Sequence, residues 1–345
     1  MKYKLVAENP IEAEALKSNV TAQALLDPIL PVLQARALMV AVRSGIFDEI
    51  GHGSSNAADL SRILSLDVRV LRMLLRVLSC AGYLISENDE YCLTEIALKS
   101  LYSKSPLCLS AWVELNYIQW NAITALENVL RTGQGVDLHQ NLGGKKEWRT
   151  YQQAMLETAR PVADWVASHV PIRKGAKRML DIGGSHGLYG ARICRKNPPL
   201  CSEVLELPDA VEPARNLAKQ EGIDDVVVHW AGNALTDELG YQIFDAIFLG
   251  NILHHFTSDQ NQKLLHKIRS ALIRGGTVAV WDLKKPDFDS KPDLISDGFA
   301  LFFRITSSTE CYTEQEYCNW MSSAGFVNVE AILSPTHILI TAQVE

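Results

Sequence analysis

The sequence has few of the features that mark secreted, membrane-bound or metal-dependent proteins. It contains no apolar run approaching the ~20 residues that a membrane-spanning helix needs, and its N-terminal stretch has no apolar core like that of a secretory signal peptide. Its seven cysteines are scattered, odd in number and without the CxxC spacing of zinc sites. We therefore expect a cytoplasmic protein with no disulfide framework, no bound metal and no membrane partner.

Positive charge is also in short supply. The 345 residues include 33 Lys and Arg against 40 Asp and Glu, which gives a formal net charge of −7. Because nucleic acids are bound through basic surfaces, this balance argues against a nucleic-acid partner. The 47% share of hydrophobic residues is that of an ordinary globular chain, and the length leaves room for two domains.

Residues 1–110 have the pattern of a mostly helical domain. An apolar stretch from Leu25 to Ile50, interrupted by prolines, has helical spacing. Two amphipathic helices follow between an N-cap at Asn56 and a stop at Gly82. Residues 83–94 then alternate as a hairpin with a polar turn. Helix, helix and hairpin in this order predict a winged-helix domain.

The second of these helices, Val68–Leu78, allows two interpretations. Arg69, Arg72 and Arg76 lie three and four residues apart on one face, as in a DNA-reading helix. They can equally solvate the outer face of a packing helix, and we favour this because the flanking sequence is acidic. The apolar surface of Leu25–Ile50 and Val68–Leu78 exceeds what so small a domain buries alone, which predicts a homodimer.

In the linking segment 111–176, residues 111–165 have helical spacing and many aromatic side chains, with a Gly-rich break at 131–148. These aromatic side chains either pack in a core or line a pocket, and the sequence does not decide between the two. We take the segment as linking helices that border the substrate pocket, with Trp120 and Met155 as candidate substrate contacts.

From Lys177 onward, segments typical of strands and of helices alternate. The alternation predicts a parallel sheet with helices on both faces. Only Pro335 and Thr336 separate the last two strand segments, and so short a link forces an antiparallel pair. The predicted strands are 178–183, 202–207, 226–231, 243–250, 275–283, 326–334 and 337–345.

The segment "LDIGGSHG" is a glycine turn between the first of these strands and a helix. Glycine at positions 183 and 184 lets the backbone approach a ligand where a Cβ would collide. In dinucleotide enzymes such a turn faces a pyrophosphate, but Asp181 would repel one and would suit an ammonium or sulfonium group. Taken alone, the turn fits a dinucleotide, a phosphate, S-adenosylmethionine or no ligand at all.

Two further strand ends carry polar side chains. Glu206 closes the second strand roughly twenty residues after the turn, where dinucleotide folds hold a ribose diol. Asn233 follows the third strand and can hydrogen-bond an adenine edge. Because open sheets bind ligands at the C-terminal edge of their strands, we expect Asp181, Glu206 and Asn233 to form one site.

From end to end, the chain resembles the family of S-adenosylmethionine-dependent O-methyltransferases with an N-terminal winged-helix dimerisation domain, which includes plant phenylpropanoid and bacterial secondary-metabolite enzymes. "LRMLLRVLSCAGYL" with "YCLTEIA" is similar to its N-terminal signature, and "YQQAMLETA" to the segment that enters its catalytic domain. "LDIGGSHG", "LELPD" and "LIRGGTVAVWD" are similar to its cofactor loop, ribose-binding strand end and fifth-strand entry. The resemblance implies an α/β fold, with a Rossmann-like, seven-stranded class I methyltransferase sheet and an antiparallel C-terminal hairpin in residues 111–345.

The resemblance also implies a set of cofactor contacts. Gly183 and Gly184 pack against the amino-acid moiety of S-adenosylmethionine, and Glu206 takes the ribose hydroxyls where the family commonly has Asp. Asn233 faces adenine in place of the usual Asp, and Gly250 stands where plant members have a lysine that touches the cofactor. The implied cofactor-binding residues are Asp181, Gly183, Gly184, Glu206, Leu207, Gly232, Asn233, Ala234 and Gly250.

The stretch "FLGNILHHFTSDQ" resembles the catalytic motif of the family. The resemblance makes His254 the general base that takes a proton from an acceptor hydroxyl during methyl transfer, with S-adenosylhomocysteine as product. His255 and Phe256 replace an aspartate and a tryptophan. Because adjacent residues point in different directions, we expect the side chain of His255 to point away from the site. Alternatively, both histidines are polar residues at a strand-to-helix turn.

A further departure concerns the acid that orients the base. Family members that methylate phenols usually have a glutamate there, whereas "STECYTEQEY" has Cys311 at that place with Glu310 beside it. A one-residue shift restores the acid; without it, His254 has no carboxylate partner. Arg304 is a candidate for binding an acidic or carbonyl group of the substrate, or else a solvated helix residue.

The sequence therefore predicts a homodimeric enzyme that methylates a hydroxyl of a small secondary metabolite. Two alternatives remain open for the cofactor site: C- or N-methylation, or a non-methylating reaction such as pericyclisation or decarboxylation. A ligand-sensing winged-helix regulator is a third alternative, and the lack of a basic recognition face argues against it.

Overall fold

The computed structural model of the protein describes residues 6–18, 23–139, 142, 144–287, 289, 291–307 and 309–345. Residues 1–5 and 19–20 of the N-terminal stretch without a signal-peptide core, and residues 140, 141 and 143 of the predicted break, therefore lie outside the described residues. The chain divides into two compact units, with the boundary between Ile118 and Gln119. None of the described helices combines the length and the apolar content needed to cross a membrane.

The first unit contains short helices and a small antiparallel sheet. Its elements are α1 (Pro10–Lys17), α2 (Gln23–Leu26), α3 (Leu30–Arg43), α4 (Ile46–Ile50), β1 (Ser54–Asn56), α5 (Ala57–Leu64), α6 (Val68–Cys80), β2 (Leu84–Glu87), β3 (Glu90–Leu93), α7 (Glu95–Ser100) and α8 (Ser110–Ile118). The strand order is β1-β3-β2. Helix α8 belongs to this unit because it packs against α3, so the unit extends past residue 110, where the sequence placed the boundary.

The boundaries of α5 and α6 follow the signals in the sequence. Asn56 is the N-cap of α5, where its side chain accepts a hydrogen bond from the N–H of Asp59. Gly82 lies just beyond α6 with a φ of +79°, a conformation that favours glycine after a helix end.

The hairpin of the first unit is the predicted one. β2 and β3 pair antiparallel with Glu87 opposite Glu90, so only Asn88 and Asp89 form the turn. Their φ angles of +50° and +65° are typical of a two-residue type I′ turn, and Asn and Asp tolerate this conformation better than most residues. The sequence does not predict β1, because three residues are too few for a periodic signal.

The stretch Leu25–Ile50, which has helical spacing interrupted by prolines, contains parts of three helices. Pro28 lies beyond the end of α2, and Pro31 lies in the first turn of α3, where a helix tolerates the missing N–H. Gly45, with a φ of +74°, then separates α3 from α4. The prolines and the glycine divide an apolar stretch whose spacing alone is helical throughout.

The second unit is built around one seven-stranded sheet. Its elements are α9 (Trp120–Ile123), α10 (Leu126–Thr132), α11 (Lys145–Ala159), α12 (Ala163–His169), β4 (Arg178–Ile182), α13 (Leu188–Lys196), β5 (Cys201–Glu206), α14 (Pro208–Gln220), β6 (Val227–Ala231), β7 (Phe244–Gly250), α15 (Ser258–Ala271), β8 (Leu272–Leu283), α16 (Leu294–Ser307), α17 (Glu314–Ser323), β9 (Val327–Leu333) and β10 (His337–Gln343). The strand order is β6-β5-β4-β7-β8-β10-β9. Strands β4 to β8 pair in parallel, while β10 is antiparallel to both β8 and β9. This confirms the predicted parallel sheet with an antiparallel C-terminal hairpin.

Alternate side chains of β7 point into two apolar cores, one on each face of the sheet. Ile247 packs in the core that contains Leu265 of α15, and Phe248 packs in the core that contains Val166 of α12. A strand buried on both faces is a nearly continuous apolar run, and the predicted strand 243–250 is apolar apart from Asp245 and the terminal Gly250. The helices therefore cover both faces and leave the C-terminal strand ends to form a site.

Candidate active site

A cavity of 590 Å³ lies at the C-terminal edge of the parallel strands. Asp181 is near the end of β4, Glu206 ends β5 and Asn233 follows β6. All three line the cavity, at the edge where open α/β sheets bind ligands. The residues predicted to bind the cofactor all lie in its wall: Asp181, Gly183, Gly184, Glu206, Leu207, Gly232, Asn233, Ala234 and Gly250.

The glycine turn is closely packed against its own protein neighbours. Gly183 has a φ of +63°, and a Cβ there would overlap Cδ1 of Ile252. A Cβ on Gly184 would overlap the carboxylate of Asp181. Both glycines are therefore required by the protein side of the wall, whereas the sequence argument attributed them to the space of the ligand.

Asp181 and Glu206 are buried acids. Glu206 accepts hydrogen bonds from the N–H of Ser185 at 2.7 Å and of Leu207 at 3.1 Å. Both oxygens of Asp181 are buried without a well-formed hydrogen bond to the described residues. The N–H of Gly190 lowers the pKa of this carboxyl, but by less than burial raises it. Burial raises the pKa of each carboxyl to about 7, and the charge of Glu206 adds to the shift at Asp181. A positive charge in the cavity would stabilise both in their ionised form.

The rest of the wall is acidic or neutral. Asp137 and Asp209 also face the cavity, and among the described residues no lysine or arginine lines it. The histidines of the wall are His139, His186 and His255, and burial lowers the pKa of all three. A wall of this composition suits a ligand that carries positive charge.

Two asparagines of the wall differ in how their side chains are used. The Oδ1 atom of Asn233 accepts a hydrogen bond from the Leu235 N–H at 3.0 Å, which leaves Nδ2 for a ligand. Asn251 has a φ of +52°, and its Oδ1 is buried without a hydrogen bond to any described residue. The sequence did not single out Asn251, because no motif marks it.

His254 lies just beyond β7, in a 3₁₀ helix formed by Leu253–His255. Its Nδ1 is 2.5 Å from Oδ1 of Asp282, near the end of β8, and both side chains are buried. The other oxygen of Asp282 accepts a hydrogen bond from the Leu253 N–H at 2.8 Å. The carboxylate places the imidazole proton on Nδ1, so the lone pair of Nε2 can take a proton.

Asp282 corrects the prediction that His254 has no carboxylate partner unless the alignment shifts at Cys311. Glu310 pairs with Nζ of Lys285 at 2.7 Å instead. Cys311 is buried, and burial raises the pKa of its thiol to about 12. The signal for the true partner is the acid at the end of "TVAVWD", which becomes a partner only through the pairing of β7 with β8.

His255 lines the cavity, contrary to the prediction that its side chain points away from the site. Its ring centroid lies 4.0 Å from that of His254, and its Nδ1 is 2.7 Å from Oγ of Ser307. Successive residues of a 3₁₀ helix are rotated by about a third of a turn, whereas those of a strand point to opposite faces. His254 is not in the cavity wall, and the ring of Phe303 covers it at a centroid distance of 4.4 Å.

Side chains from outside residues 253–256, called the histidine turn here, hold the backbone of this turn in place. The carbonyl groups of residues 253, 254 and 256 accept hydrogen bonds from Asn261, Thr309 and Tyr312, at 3.0, 2.6 and 2.6 Å respectively. The backbone of the turn is thus fixed by groups other than the two histidine rings.

The cavity has an aromatic end that the sequence motifs do not identify. Nε2 of His139 is 2.9 Å from the hydroxyl of Tyr151, and its ring stacks on Trp148 at a centroid distance of 6.0 Å. Trp148 and Tyr151 are three residues apart on α11, so they share one face of the helix. Phe256 also lines the cavity. In the described part of the chain, no group of three or more His, Cys, Asp and Glu residues could hold a metal ion.

The three candidate substrate contacts have different positions. Met155 lines the cavity. Arg304 does not, and its guanidinium donates to the carbonyl of Gly133 at 2.6 Å. Trp120 begins α9 and also lies outside the wall. Of the three, only Met155 therefore borders this cavity, and substrate contacts by Arg304 and Trp120 stay predictions.

The known proteins to which this chain is similar include methyltransferases. The chain matches the O-methyltransferase domain family over residues 130–327. It is 25% identical to 3-hydroxy-5-methyl-1-naphthoate 3-O-methyltransferase of Streptomyces sahachiroi. The 320 aligned residues cover 89% of this chain and 90% of that protein. It is 27% identical to the N,N-dimethyltransferase OxyT of Streptomyces rimosus, and the 271 aligned residues cover 76% of this chain and 78% of that protein. Its fold is similar to that of human N-acetylserotonin methyltransferase in complex with S-adenosylmethionine, with a TM-score of 0.81, 18% identity and coverage of 98% and 99%.

Proposed function

Since the chain belongs to the family of S-adenosylmethionine-dependent O-methyltransferases, we propose that it methylates a hydroxyl of a small aromatic secondary metabolite, with His254 as general base. The chain is a methyltransferase, and S-adenosylmethionine is its cofactor. The observation that carries the hydroxyl assignment is the buried His254–Asp282 pair, because a hydroxyl must lose its proton as the methyl group is transferred.

The cavity fits this cofactor. S-adenosylmethionine supplies a methyl group bound to a positively charged sulfur, and it also carries an ammonium group. Asp181 would face the cationic amino-acid part, Glu206 would accept hydrogen bonds from the ribose hydroxyls, and Asn233 would donate from Nδ2 to adenine. Each of these assignments uses a buried acid whose charged form the protein compensates only in part, or a polar atom to which no described residue is hydrogen-bonded.

His254 would take the proton of the acceptor hydroxyl on Nε2. Asp282 holds the ring by Nδ1 and would stabilise the imidazolium that forms. The ring of Phe303 lies against His254, so an acceptor reaches Nε2 when this ring turns aside. The remaining contribution of the protein is to align the acceptor oxygen with the methyl group.

The position of the transferred methyl group tests this function. We would incubate the protein with S-adenosylmethionine and a panel of hydroxynaphthoates, since the relative from S. sahachiroi methylates such a compound by its name. The expected result is an O-methyl product, identified by its carbon chemical shift, and an equal amount of S-adenosylhomocysteine. Turnover without S-adenosylhomocysteine, or a methyl group on carbon, contradicts the proposal.

N-methylation is the second candidate, because the relative from S. rimosus is named an N,N-dimethyltransferase. The same assay with aminonaphthalenes tests it. Methyl transfer to the amines and not to the hydroxyls would favour this candidate over the first.

We also propose that the first unit is a winged-helix domain through which two copies pair in the cytoplasm. Apolar side chains of its helices are exposed, among them Leu33 at 54%, Val70 at 65% and Met73 at 68%, and such surfaces typically mark interfaces. All seven cysteines are unpaired, as in a reducing compartment. Light scattering should give a dimer for the native chain and a monomer for Leu33→Lys with Met73→Lys, while Val228→Lys, an exposed apolar position on β6, should stay dimeric.

A further inference from the structure

Two histidines, His139 and His255, face each other at the aromatic end of the cavity. Their ring centroids are 4.6 Å apart, and the ring planes are almost perpendicular at 88°. One nitrogen of each ring is bound to a hydroxyl: Nε2 of His139 to Tyr151 at 2.9 Å, and Nδ1 of His255 to Ser307 at 2.7 Å. Within the described residues, nothing hydrogen-bonds the second nitrogen of either ring. The proton transfer assigned to His254 uses neither of them.

The hydroxyl partner of each ring indicates which nitrogen carries the hydrogen. Burial raises the pKa of Tyr151, so this phenol keeps its proton and can donate it to Nε2 of His139. The hydroxyl of Ser307 has no other acceptor among the described residues, which favours donation to Nδ1 of His255. Nδ1 of His139 and Nε2 of His255 then carry N–H groups. Burial lowers the pKa of both rings, so both are neutral donors.

A neutral N–H donor binds an atom with a lone pair, such as a carbonyl oxygen. It does not bind a protonated amine, which has only hydrogens to offer. Trp148 and Tyr151 contact His139 at this end of the cavity, and flat rings pack well on such surfaces. The occupant of this end is therefore a flat ring that bears an oxygen.

We propose that His139 and His255 bind the methyl acceptor through an oxygen other than the one that is methylated. The acceptor class is then an aromatic hydroxyl compound with a second oxygen function, such as a ring carbonyl substituent. This inference rests on the proposed function, because it assigns the aromatic end of the cavity to the acceptor of that reaction. Ser307 and Tyr151 are positioning residues that fix the ring tautomers.

Binding to the protein saturated with S-adenosylhomocysteine tests the proposal without any turnover. The probes are 1-hydroxy-2-acetonaphthone, which has the second oxygen, 1-naphthol, which lacks it, and 1-naphthylmethylamine. Titration calorimetry should show the acetonaphthone bound at least about tenfold more tightly than 1-naphthol, as expected for one or two buried hydrogen bonds. The amine should bind no better than 1-naphthol.

His255→Phe and His139→Phe each keep a flat ring and remove its nitrogens. Each should reduce the preference for the acetonaphthone to about two- to threefold or less, while the affinities for 1-naphthol and S-adenosylhomocysteine stay the same. The matched control is His266→Phe, an exposed position on α15, which should keep the full preference. Retention of the preference in both cavity variants overturns the proposal, as does a native protein that binds neither naphthalene or prefers the amine.

The tautomer of His255 can be measured as a second test. A purely structural role of Ser307 would leave this tautomer unchanged. Nitrogen NMR of ¹⁵N-histidine protein should show the hydrogen of His255 on Nε2. Ser307→Ala should give a mixture of tautomers, and Ser307→Thr should restore the native signal. A hydrogen found on Nδ1 of His255 in the native protein would overturn the donor assignment. If His255→Phe does not fold, His255→Gln takes its place; its amide N–H is expected to keep part of the preference, and complete loss there counts against the proposal.

The two proposals fail in different experiments. An O-methyl product without the carbonyl preference rejects this inference and leaves the proposed function intact. A carbonyl preference that both histidine variants remove, together with no methyl transfer to oxygen, rejects the proposed function and leaves the binding subsite.

Discussion

The cavity has an acidic end with Asp181 and Glu206, and its aromatic end contains His139 and His255 and is called the imidazole end below. Burial shifts the pKa values at these two ends in opposite directions. Burial raises the pKa of Asp181 and Glu206 to about 7, and it lowers the pKa of His139 to about 4. Both shifts favour the neutral form. The ends differ in what the protein supplies, because His139 has a hydroxyl partner whereas Asp181 has no well-formed hydrogen bond to the described residues. At the imidazole end the protein supplies a hydroxyl partner for one nitrogen of each ring, and at the acidic end a bound cation would further stabilise the ionised carboxylates.

The largest effect on activity is expected at His254, which belongs to neither end. His254→Ala removes the base and leaves both ends intact. General-base catalysis typically contributes about 10²–10⁴-fold, so single-turnover methyl transfer should slow by about that factor. Calorimetry should show nearly native affinity for S-adenosylhomocysteine, and His266→Ala is the matched control. Near-normal transfer by His254→Ala would mean that the acceptor needs no base from the protein.

Removal of one carboxylate tests the acidic end directly. Hydrogen bonds to charged groups contribute about 1.5–3 kcal/mol, so Glu206→Gln and Asp181→Asn should each weaken cofactor binding by about 10- to 150-fold. Calorimetric titration with S-adenosylmethionine measures this loss. The comparison variant is His255→Phe, which changes only the imidazole end and should bind the cofactor normally. Equal losses in all three variants would mean that the ends are not independent.

The affinity for the cofactor should depend on pH in one direction. In the free protein the pKa values of both acids are about 7, so below that pH they carry protons that must leave when a cation binds. Affinity should therefore rise with pH and level off above the pKa, at a rate of up to about tenfold per pH unit for one linked proton. Titrations from about pH 6 to about pH 8 measure this slope. Glu206→Gln should make it shallower, and a slope of opposite sign would refute the electrostatic assignment.

The raised pKa values of Asp181 and Glu206 also make the free energy of unfolding depend on pH, in a direction that can be stated. The pKa values of Asp181 and Glu206 in the folded protein lie above the ordinary values of 3.8 and 4.5 for these carboxyls. Their contribution to the free energy of unfolding is complete below those ordinary values and is lost as the pH rises through about 7. Thermal unfolding should show that the cofactor stabilises the protein more at high pH than at low pH. An equal shift at both would contradict the linkage.

The smallest effect is expected at Glu310, the residue that the sequence offered as the partner of the base. Its ion pair with Lys285 is partly exposed, and such pairs contribute about 0–1 kcal/mol. Glu310→Gln should leave turnover almost unchanged, whereas Asp282→Asn should slow it strongly because the tautomer of His254 is no longer fixed. A large loss in Glu310→Gln and none in Asp282→Asn would reverse the assignment of the partner.

Local patterns predict the fold of this chain well. The strands of the large sheet, the antiparallel C-terminal hairpin and the Asn56 cap all depend on residues close together in sequence, and the structure has them where predicted. The stretch Leu25–Ile50 is the exception, because apolar spacing continues through the prolines and the glycine that divide it.

The site was harder to predict, because its contacts depend on register and on local helix type. Asp282 reaches His254 because β7 pairs with β8 so that Gly250 lies opposite Trp281, and a sequence does not show this register. His255 lines the cavity because its turn is a 3₁₀ helix rather than strand. His139 lies more than a hundred residues before His255, in a stretch whose glycines indicated only a loop.

The hydrogen bonds that Asn261, Thr309 and Tyr312 make to the carbonyls of the histidine turn separate the shape of that turn from its chemistry. None of the three side chains lines the cavity. Position 255 can therefore change during evolution, or in a laboratory library, while the loop that presents it keeps its path. Such a library is expected to yield altered acceptor preferences before it yields misfolded chains, so related enzymes can diverge in substrate while they inherit one scaffold.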